Sequence, residues 1–239
     1  MDRAQGSPRL EVRGLVKGYR KRIVLRRVDL VVAAGEAVAV IGRNGAGKST
    51  LLGCVTGDRL PDAGEVRVCG VDPFSDPVRA AECMGFVPEQ PFLYGELTVG
   101  EILDFVADAR GLPRNEARRE GERLLSLLGM AQAESLVCRE LSQGMGRKVA
   151  LTIALLHRPQ LIVLDEAFNG LDQASTERLT EELDARRSAG AALLMSSHDL
   201  GFLARHCQRG LLLAPEGAAK PLEGEAWQRW TSSPALEVS

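Results

Sequence analysis

The fold is decided by the stretch Gly42-Arg43-Asn44-Gly45-Ala46-Gly47-Lys48-Ser49-Thr50, which fits the pattern G-x-x-x-x-G-K-[ST]. The residues before it, 37–41, form a short apolar run with β-branched side chains, which predicts a buried parallel strand. Residues 50–52 open a helix. Because a strand, a glycine-rich turn and a helix N-terminus follow in this order, the stretch predicts a phosphate-binding loop rather than a turn that matches by accident.

The chemistry of this loop depends mainly on its backbone. Gly45 and Gly47 permit a tight turn with no side chain in the way, so consecutive N–H groups can point inward. The following helix contributes its free N–H groups and the positive end of its dipole. Lys48 supplies a positive charge for the outer phosphates, and Ser49 offers a hydroxyl to Mg2+. The sequence therefore predicts that the chain binds a nucleotide.

The composition limits the classes of protein that fit. The chain has 239 residues, of which 45% are hydrophobic and 26% are charged, so it can bury a sizeable core. Its formal net charge of -2 does not suggest a nucleic-acid-binding protein, which usually shows a basic face. No apolar run is long enough to cross a bilayer, and residues 1–6 lack an apolar signal segment. We therefore expect a soluble, cytoplasmic protein that binds no nucleic acid and does not insert into the membrane.

Most of the other apolar runs predict strands. The predicted strands comprise residues 10–15, 23–25, 28–32, 66–70, 83–88, 161–166, 191–196 and, as the last one, 211–213. Between residues 95 and 157 the pattern becomes helical. Thr98 and Glu101 form a capping-box pattern before one helix, and further helices are predicted at about 115–128, from near Ser142, and at 176–187. This order predicts a helical subdomain inserted in an α/β core.

We interpret residues 1–239 as a single domain. The α/β core comprises about 9–94 and 158–215, the helical subdomain about 95–157, and the C-terminal tail 216–239. Within the tail, Trp227 and Trp230 are three residues apart, a spacing that permits one helical face. A short helix packed on the body of the domain is favoured over a binding site for a partner.

Three polar side chains follow two of the predicted core strands. Asp165 and Glu166 end the apolar strand 161–166, and His198 follows the strand that ends at residue 196. In open α/β sheets ligands bind at the carboxyl ends of the strands, the edge that also carries the phosphate loop. There Asp165 can hold Mg2+ through water, and Glu166, on the other side of the strand, can orient an attacking water or accept its proton. His198 lies where it could reach a γ-phosphate, although a lone histidine is usually structural and paired acids can be solvated turn residues.

Two further positions have a functional and a structural interpretation. Tyr19 lies in a predicted turn before the loop, where it could stack on an adenine ring or be a surface aromatic. Ser142 can cap a helix whose free N–H groups offer a second anion-binding surface, or it can be an ordinary cap. The residues alone leave the question open for Tyr19 and favour the ordinary cap for Ser142.

In combination, these motifs resemble the ATP-binding cassette of ABC transporters over roughly residues 9–215. The resemblance comprises, in chain order, an aromatic residue at 19, a Walker A loop at 42–50, a Q-loop near 89, a signature at 141–145, a Walker B strand at 161–166, a D-loop at 169–172 and a switch histidine at 198. Their order and spacing are more specific than any one motif. The resemblance implies an α/β P-loop NTPase core, with a mostly parallel sheet, an N-terminal antiparallel β-subdomain and an inserted helical subdomain.

The resemblance also implies which residues contact ATP and Mg2+. The nucleotide would be bound through Tyr19, Gly42, Arg43, Asn44, Gly45, Ala46, Gly47, Lys48, Ser49, Thr50, Glu89, Gln90, Ser142, Gly144 and Asp172. Ser49, Asp165 and Glu89 would hold Mg2+, Glu166 would be the catalytic carboxylate, and His198 would contact the γ-phosphate. Two cassettes would pair head to tail around two ATP molecules, each clamped between the Walker A loop of one chain and the signature of the other, with Asp172 coupling the two sites.

The signature departs from the common form of the family, L-S-G-G-Q. Here Gln143 and Met145 replace a glycine and the glutamine, whereas Ser142 and Gly144 remain. Because the serine and the backbone of this glycine are the phosphate-facing elements, we expect the signature to function.

The Q-loop also departs from the family pattern. Counting back from Leu93 and Tyr94 places Glu89 at the usual position of the glutamine, so either Glu89 or Gln90 acts there. The segment 89–98 and the S-Q-G-M form of the signature resemble cassettes that serve exporters with separate membrane subunits.

The resemblance implies an ATPase subunit that drives a transmembrane permease encoded as a separate chain. The subunit would pair with a second copy of itself or with a related cassette, and would sit on the inner face of the cell membrane through its permease. The alternatives are a non-transport ABC ATPase and a regulatory nucleotide-binding module without hydrolysis. A single cassette with no heptad insert disfavours the first, and the presence of Glu166 and His198 disfavours the second.

Overall fold

The N-terminal part of the chain forms an antiparallel sheet. The structure, a computed structural model, describes residues 7–20 and 22–232. Three strands pair in the order β2-β1-β4, namely β1 (Leu10–Tyr19), β2 (Arg22–Val32) and β4 (Ala63–Val68). In β1 the apolar side chains of Leu10, Val12 and Leu15 are buried, while Glu11 and Arg13 between them are not. This sheet confirms the antiparallel subdomain.

The predicted strands 23–25 and 28–32 are one strand, so their separation was wrong. Leu15 pairs with Val28 but Lys17 pairs with Leu25, which shifts the register by one residue, and Arg27 adopts a φ of 50° at that point. A bulge of this kind inserts a residue and bends a strand without ending it. The basic residues at the bulge interrupt the apolar run and therefore look like a break in the sequence.

A second, six-stranded sheet forms the centre of the molecule in the order β5-β6-β7-β3-β8-β9. Its strands are β3 (Ala37–Gly42), β5 (Met84–Val87), β6 (Leu161–Asp165), β7 (Ala192–Ser196), β8 (Arg209–Leu213) and β9 (Ala219–Leu222). The first five in this order pair in parallel, and β9 joins the edge antiparallel to β8. The mostly parallel P-loop core is thereby confirmed.

Helices and the antiparallel sheet cover the two faces of this central sheet. The helices are α1 (Lys48–Val55), α2 (Pro77–Cys83), α3 (Val99–Ala109), α4 (Arg114–Leu127), α5 (Gln143–Leu155), α6 (Gln173–Ser188), α7 (Leu200–His206) and α8 (Gly224–Ser232). Along β3, Val38 and Val40 face a cluster that includes α1 and the antiparallel sheet. Ala39 and Ile41 face the opposite cluster, with α5 to α8. Burial on both faces explains why the core strands read as uninterrupted apolar runs.

The segment from α3 to the first part of α5 has an apolar core of its own. Buried side chains from all three helices, among them Leu103, Leu125 and Val149, form a cluster separate from the two that cover the central sheet. The capping box is present, because Thr98 Oγ1 accepts from the Glu101 amide at 3.2 Å while the Glu101 carboxylate accepts from the Thr98 amide at 2.8 Å. The limits of a subdomain at 95–157 stay a prediction.

The C-terminal segment belongs to the body of the domain. The prediction that 211–213 is the last strand was wrong, since β9 pairs with β8 beyond it. Trp227 and Trp230 lie on α8 with ring centroids 5.0 Å apart, and both are buried against the central sheet's cluster. The predicted short packed helix is thus present, while the rest of the proposed tail, 233–239, lies outside the described residues.

Candidate functional site

The phosphate loop connects the C-terminal end of β3 to the N-terminus of α1. Gly47, the N-cap of α1, has a φ of 105°, and a Cβ there would lie 2.8 Å from Val24 Cγ1. No larger residue fits this position without displacing the loop. The ammonium of Lys48 folds back over the loop and donates to the carbonyl oxygens of Gly42 at 2.9 Å and Arg43 at 3.4 Å. The loop therefore presents a helix N-terminus and a positive charge at the same place.

The other loop residues divide into an exposed rim and a buried base. Arg43, Asn44 and Gly45 are exposed, Ser49 is partly exposed, and Ala46 and Thr50 are buried. The exposed part is where a ligand can approach the loop amides.

Tyr19 lies beside this loop, at the end of β1 rather than in the predicted turn. Arg59 donates to the Tyr19 hydroxyl at 3.3 Å and to Thr50 Oγ1 at 3.4 Å, so the same guanidinium links the aromatic ring to α1. Lys17 Nζ lies 5.5 Å from the ring centroid. The position next to the loop is compatible with stacking on adenine, and that role stays a proposal.

Asp165 and Glu166 are separated from the phosphate loop by one strand of the sheet, β7. Both β6 and β3 pair with β7, and Ser196 of β7 is in register with Asp165 on one side and Val40 on the other. The carboxyl ends of the three strands therefore meet at one edge of the sheet. Asp165 is buried there, and its carboxylate accepts a hydrogen bond from the Ser196 hydroxyl.

Glu166 is held in an unusual conformation directly after β6. Its φ of 52° lies in the left-handed region, which costs a residue with a Cβ about 1–3 kcal/mol. The side chain is only 3% exposed, and Oε2 accepts from the amide of His198 at 2.9 Å and from Asn169 Nδ2 at 3.2 Å. Within the described residues Oε1 has no hydrogen-bond partner. The fixed carboxylate thus has one buried oxygen without a hydrogen-bond partner among the described residues.

His198 lies close to that unpartnered oxygen. Its Nε2 lies 3.4 Å from Glu166 Oε1, while the imidazole remains exposed on the other side. The imidazole therefore lies between the Glu166 carboxylate and the solvent, next to the edge that carries the phosphate loop.

The Q-loop residues follow β5, the neighbour of β6 in the sheet. Glu89 and Gln90 are both exposed, and the Glu89 carbonyl accepts from Arg147 of α5. Both residues lie at the same edge as the Walker B carboxylates, so the choice between them stays open.

The signature segment lies on the helical part of the chain. Ser142 is the N-cap of α5, with Oγ accepting from the Met145 amide at 3.3 Å, as predicted. The side chain of Met145 packs against the apolar core formed by α3, α4 and α5, whereas Gln143 is exposed. Packing into that core gives a physical reason for an apolar residue at position 145.

The signature helix, α5, contacts the D-loop, residues 169–172, of the same chain. A Cβ on Gly144 would lie 2.7 Å from the carbonyl oxygen of Gly170, and Lys148 donates to Asp172 at 2.6 Å. Asp172 also caps α6 by accepting from the Ser175 amide at 2.9 Å. Hydrogen bonds hold the pKa of Asp172 well below its usual range, the largest effect coming from the ammonium of Lys148 and the next from the Ser175 amide. This carboxylate is therefore ionised.

The phosphate loop and the signature are not brought together within one chain. Lys48 bonds only to its own loop and Ser142 only to its own helix, and no hydrogen bond among residues 7–20 and 22–232 joins the two segments. They belong to separate apolar clusters.

Three residues at the site, Ser196, Lys148 and Arg147, were not singled out from the sequence as functional, and Asn169 was named only as part of the D-loop. Ser196 bonds to Asp165 and accepts from the Glu166 amide at 3.1 Å, Asn169 bonds to Glu166, Lys148 bonds to Asp172, and Arg147 bonds to two backbone carbonyls. Ser196 had a signal, because a hydroxyl ends an otherwise apolar strand. Contacts made by Arg147 to backbone atoms leave no pattern in a sequence.

The residues present fit a nucleotide with a divalent cation. A carboxylate, a hydroxyl and the Q-loop side chains supply oxygen ligands, the set that Mg2+ prefers. The exposed rim of the loop at Arg43, Asn44 and Gly45, beside the N-terminus of α1, is where phosphate oxygens can approach, and Glu166 Oε1 has no hydrogen-bond partner among the described residues.

Comparisons with known proteins agree with this geometry. The family described as ABC transporter matches residues 25–169. The ABC-type transporter ATP-binding protein EcsA of Bacillus subtilis is 33% identical over 85% of this chain and 83% of its own length. A solved structure described as the ATP binding subunit of an ABC transporter is 34% identical, has a TM-score of 0.86, and covers 94% of both chains.

Other relatives carry names that state a transport direction. The SkfA peptide export ATP-binding protein SkfE of Bacillus subtilis is 29% identical over 85% of this chain and 84% of its own length. The methionine import ATP-binding protein MetN of Thermobifida fusca is 35% identical over 79% of this chain and 60% of its own length. Some relatives are longer still, and this chain spans about a third of their length.

Proposed function

This chain belongs to the ABC transporter family, whose ATP-binding cassettes are ATPases, and on that premise we propose that it hydrolyses Mg-ATP to drive a separate membrane permease, as part of an exporter. The observation that carries the proposal is Glu166. Its carboxylate is buried and strained, keeps one oxygen without a hydrogen-bond partner among the described residues, and lies one strand away from the phosphate loop.

The residues at the sheet edge have distinct roles in this reaction. The loop amides and Lys48 bind the phosphates of ATP, and Tyr19 stacks on the adenine. Glu166 Oε1 orients the attacking water and accepts its proton, because it is the carboxylate oxygen that no protein donor occupies in the described chain. His198, 3.4 Å from that oxygen, contacts the γ-phosphate.

The cation site uses the remaining oxygen donors. Mg2+, when bound, neutralises charge on the outer phosphates. Ser49 and Asp165 would hold it, together with Glu89 or Gln90. The hydroxyl of Ser196 keeps Asp165 oriented toward the edge.

Two chains are needed to complete each nucleotide site in this proposal. The phosphate loop is fixed to the central sheet, whereas the Ser142 cap belongs to the helical part. A second copy of the chain, or a related cassette, supplies the signature of the opposite half-site. The D-loop at Asp172 contacts the signature helix through Lys148 and also caps α6.

A membrane partner is supported by an exposed aromatic surface after the Q-loop. Phe92 is 80% exposed. Its ring centroid lies 5.4 Å from that of Tyr94, which in turn lies 6.1 Å from the ring centroid of Phe105. Large exposed apolar groups in one place are typical of a protein interface. Within the part of the chain that the structure describes, no helix has both the length and the apolar character needed to cross a bilayer.

The direction of transport rests on the form of the sequence. The segment 89–98 and the signature S-Q-G-M favour export. Among the relatives, SkfE is named for peptide export and MetN for methionine import, so the names support transport more strongly than its direction.

The test of this function is ATP binding and turnover with Lys48→Ala. Loss of one charged donor to phosphate costs about 1.5–3 kcal/mol, so the dissociation constant for a fluorescent ATP analogue should rise about 10- to 100-fold and hydrolysis should fall with it. Lys220→Ala, at an exposed position on β9, is the matched control and should leave both unchanged. Unchanged affinity in Lys48→Ala would contradict nucleotide binding at this loop. Tight binding with no hydrolysis by the wild type would favour a regulatory module.

A further inference from the structure

Arg147 is a buried arginine whose charge is held by backbone atoms. It lies in the first half of α5 and is only 4% exposed. One terminal nitrogen, Nη1, donates to the carbonyl of Glu166, and the other, Nη2, donates to the carbonyl of Glu89. Among the described residues its Nε has no partner and no ion pair involves it. Buried arginines are normally paired with carboxylates, so this arrangement needs an explanation.

The two carbonyls that Arg147 holds belong to neighbouring strands. Glu166 directly follows β6 and Glu89 lies two residues beyond β5, and these strands pair in parallel. Arg147 itself lies on the helix that begins at the Ser142 cap. A single planar guanidinium therefore joins the signature helix, the Walker B end and the Q-loop.

The contact is made at the residue whose backbone is strained. Glu166 has a φ of 52°, a conformation that persists only where the surroundings enforce it. Ser196 holds its amide and Arg147 holds its carbonyl, so the peptide groups on both sides of the Cα are fixed. These two contacts fix the backbone from which the side chain starts, while the His198 amide and Asn169 hold its Oε2.

We propose that Arg147 is a positioning residue that fixes the backbone of Glu166 and Glu89, so that the placement of α5 determines whether the Glu166 carboxylate is oriented for water attack. This inference rests on the proposed ATPase function. Because the arginine is carried by the signature helix, movement of that helix reaches the catalytic carboxylate through one side chain. A guanidinium suits this role because it donates in two directions in one plane, which the ammonium of a lysine does not.

The variants for the test are Arg147→Met, Arg147→Lys and a matched control. The control is Arg110→Met, because Arg110 is half-buried, follows α3 and donates to the carbonyl of Ala81 at 2.6 Å, away from the nucleotide edge. Arg147→Met removes both hydrogen bonds. Arg147→Lys keeps the positive charge but lacks the two planar terminal nitrogens that donate to the two carbonyls at once.

The measurements are kcat, KM, the dissociation constant for ATP, and hydrogen–deuterium exchange of the segments 86–92 and 164–170. In Arg147→Met we expect kcat to fall at least tenfold, with ATP affinity of the single chain within twofold of the wild type. Exchange should rise in both segments but not in the phosphate loop. Arg147→Lys should lie between the wild type and Arg147→Met, and Arg110→Met should change neither kcat nor exchange at the two segments.

Two results would overturn the inference. One is a kcat in Arg147→Met within twofold of that in Arg110→Met, and the other is unchanged exchange at either segment. If Arg147→Met fails to fold, Arg147→Lys decides, with exchange equal to the wild type counting against the inference. A wild type that hydrolyses no ATP would refute the proposed function, while exchange would still test the contact.

Discussion

The phosphate loop and the signature cap are both helix N-termini that follow a turn, yet they are built differently. At the phosphate loop the backbone is forced by its surroundings, since Gly47 has a φ of 105° and packs against Val24. At the signature the cap Ser142 is exposed, and its helix is positioned through the D-loop and the helical core. The difference teaches that the phosphate loop is shaped by a local stretch of chain, whereas the position of the signature cap depends on contacts with distant parts of the chain; in the proposed function the cap faces the nucleotide of a second chain.

The largest effect that separates the two regions is expected from Gly47→Ala. The new Cβ meets Val24 at 2.8 Å and Leu25 at 3.1 Å, at a backbone conformation that disfavours any side chain. Folding should lose about 1–3 kcal/mol, and ATP affinity should fall at least tenfold because the loop amides are displaced. Thermal melting and an ATP titration measure both.

Gly45→Ala is the control for the backbone effect alone. Its φ is 78°, but nothing lies within 4 Å of the new Cβ, so we expect a smaller loss in affinity than for Gly47→Ala. Equal effects at the two positions would show that close packing against β2 does not shape the loop.

A different outcome is expected from Gly144→Ala at the signature. Its Cβ would meet the carbonyl oxygen of Gly170 at 2.7 Å and push α5 away from the D-loop. ATP affinity of the single chain should stay within twofold, while turnover should fall several-fold because the half-site is displaced. Gly146→Ala is the matched control, since its Cβ makes only an ordinary contact at 3.8 Å with Leu93. A loss of single-chain affinity in Gly144→Ala would erase the distinction between the regions.

The smallest effect is expected from Lys148→Met, which removes the ion pair to Asp172. This change is preferable to one at Asp172, because that carboxylate also caps α6. Since Asp172 is largely exposed to solvent, the melting temperature should fall by no more than about 4 °C, and the difference from the wild type should shrink as salt is added. A much larger fall, independent of salt, would mean that this pair is a structural anchor for the D-loop.

The same contrast explains how much of the fold could be predicted. The core strands and the phosphate loop were predictable because two-sided burial and a glycine turn leave strong local patterns. β9 was missed since its sequence, Ala219-Lys220-Pro221-Leu222, has neither an apolar run nor alternation, and an edge strand tolerates the proline. α2 was missed because it has only seven residues, one of them buried, although Asp76 and Pro77 mark its start.

The site shows the same division between local and non-local information. Asp165 and Glu166 were predictable from the end of an apolar strand, but the left-handed φ of Glu166 was not, because it depends on contacts from Ser196 and Arg147. The packing of Met145 into the helical core likewise required the structure. Residue types at strand ends are visible in a sequence, whereas contacts between distant backbone atoms are not.

The central claim is that each nucleotide is shared between two chains, and the mass in solution of Glu166→Gln tests it most directly. This variant should keep ATP bound because the amide has the shape of the carboxylate but does not accept a proton from water. Light scattering should show a monomer without nucleotide and a dimer with Mg-ATP, and Ser142→Arg in the same background should abolish the dimer while single-chain affinity stays within twofold. A mass that stays monomeric at saturating Mg-ATP, or a dimer that forms equally well with Ser142→Arg, would contradict the account.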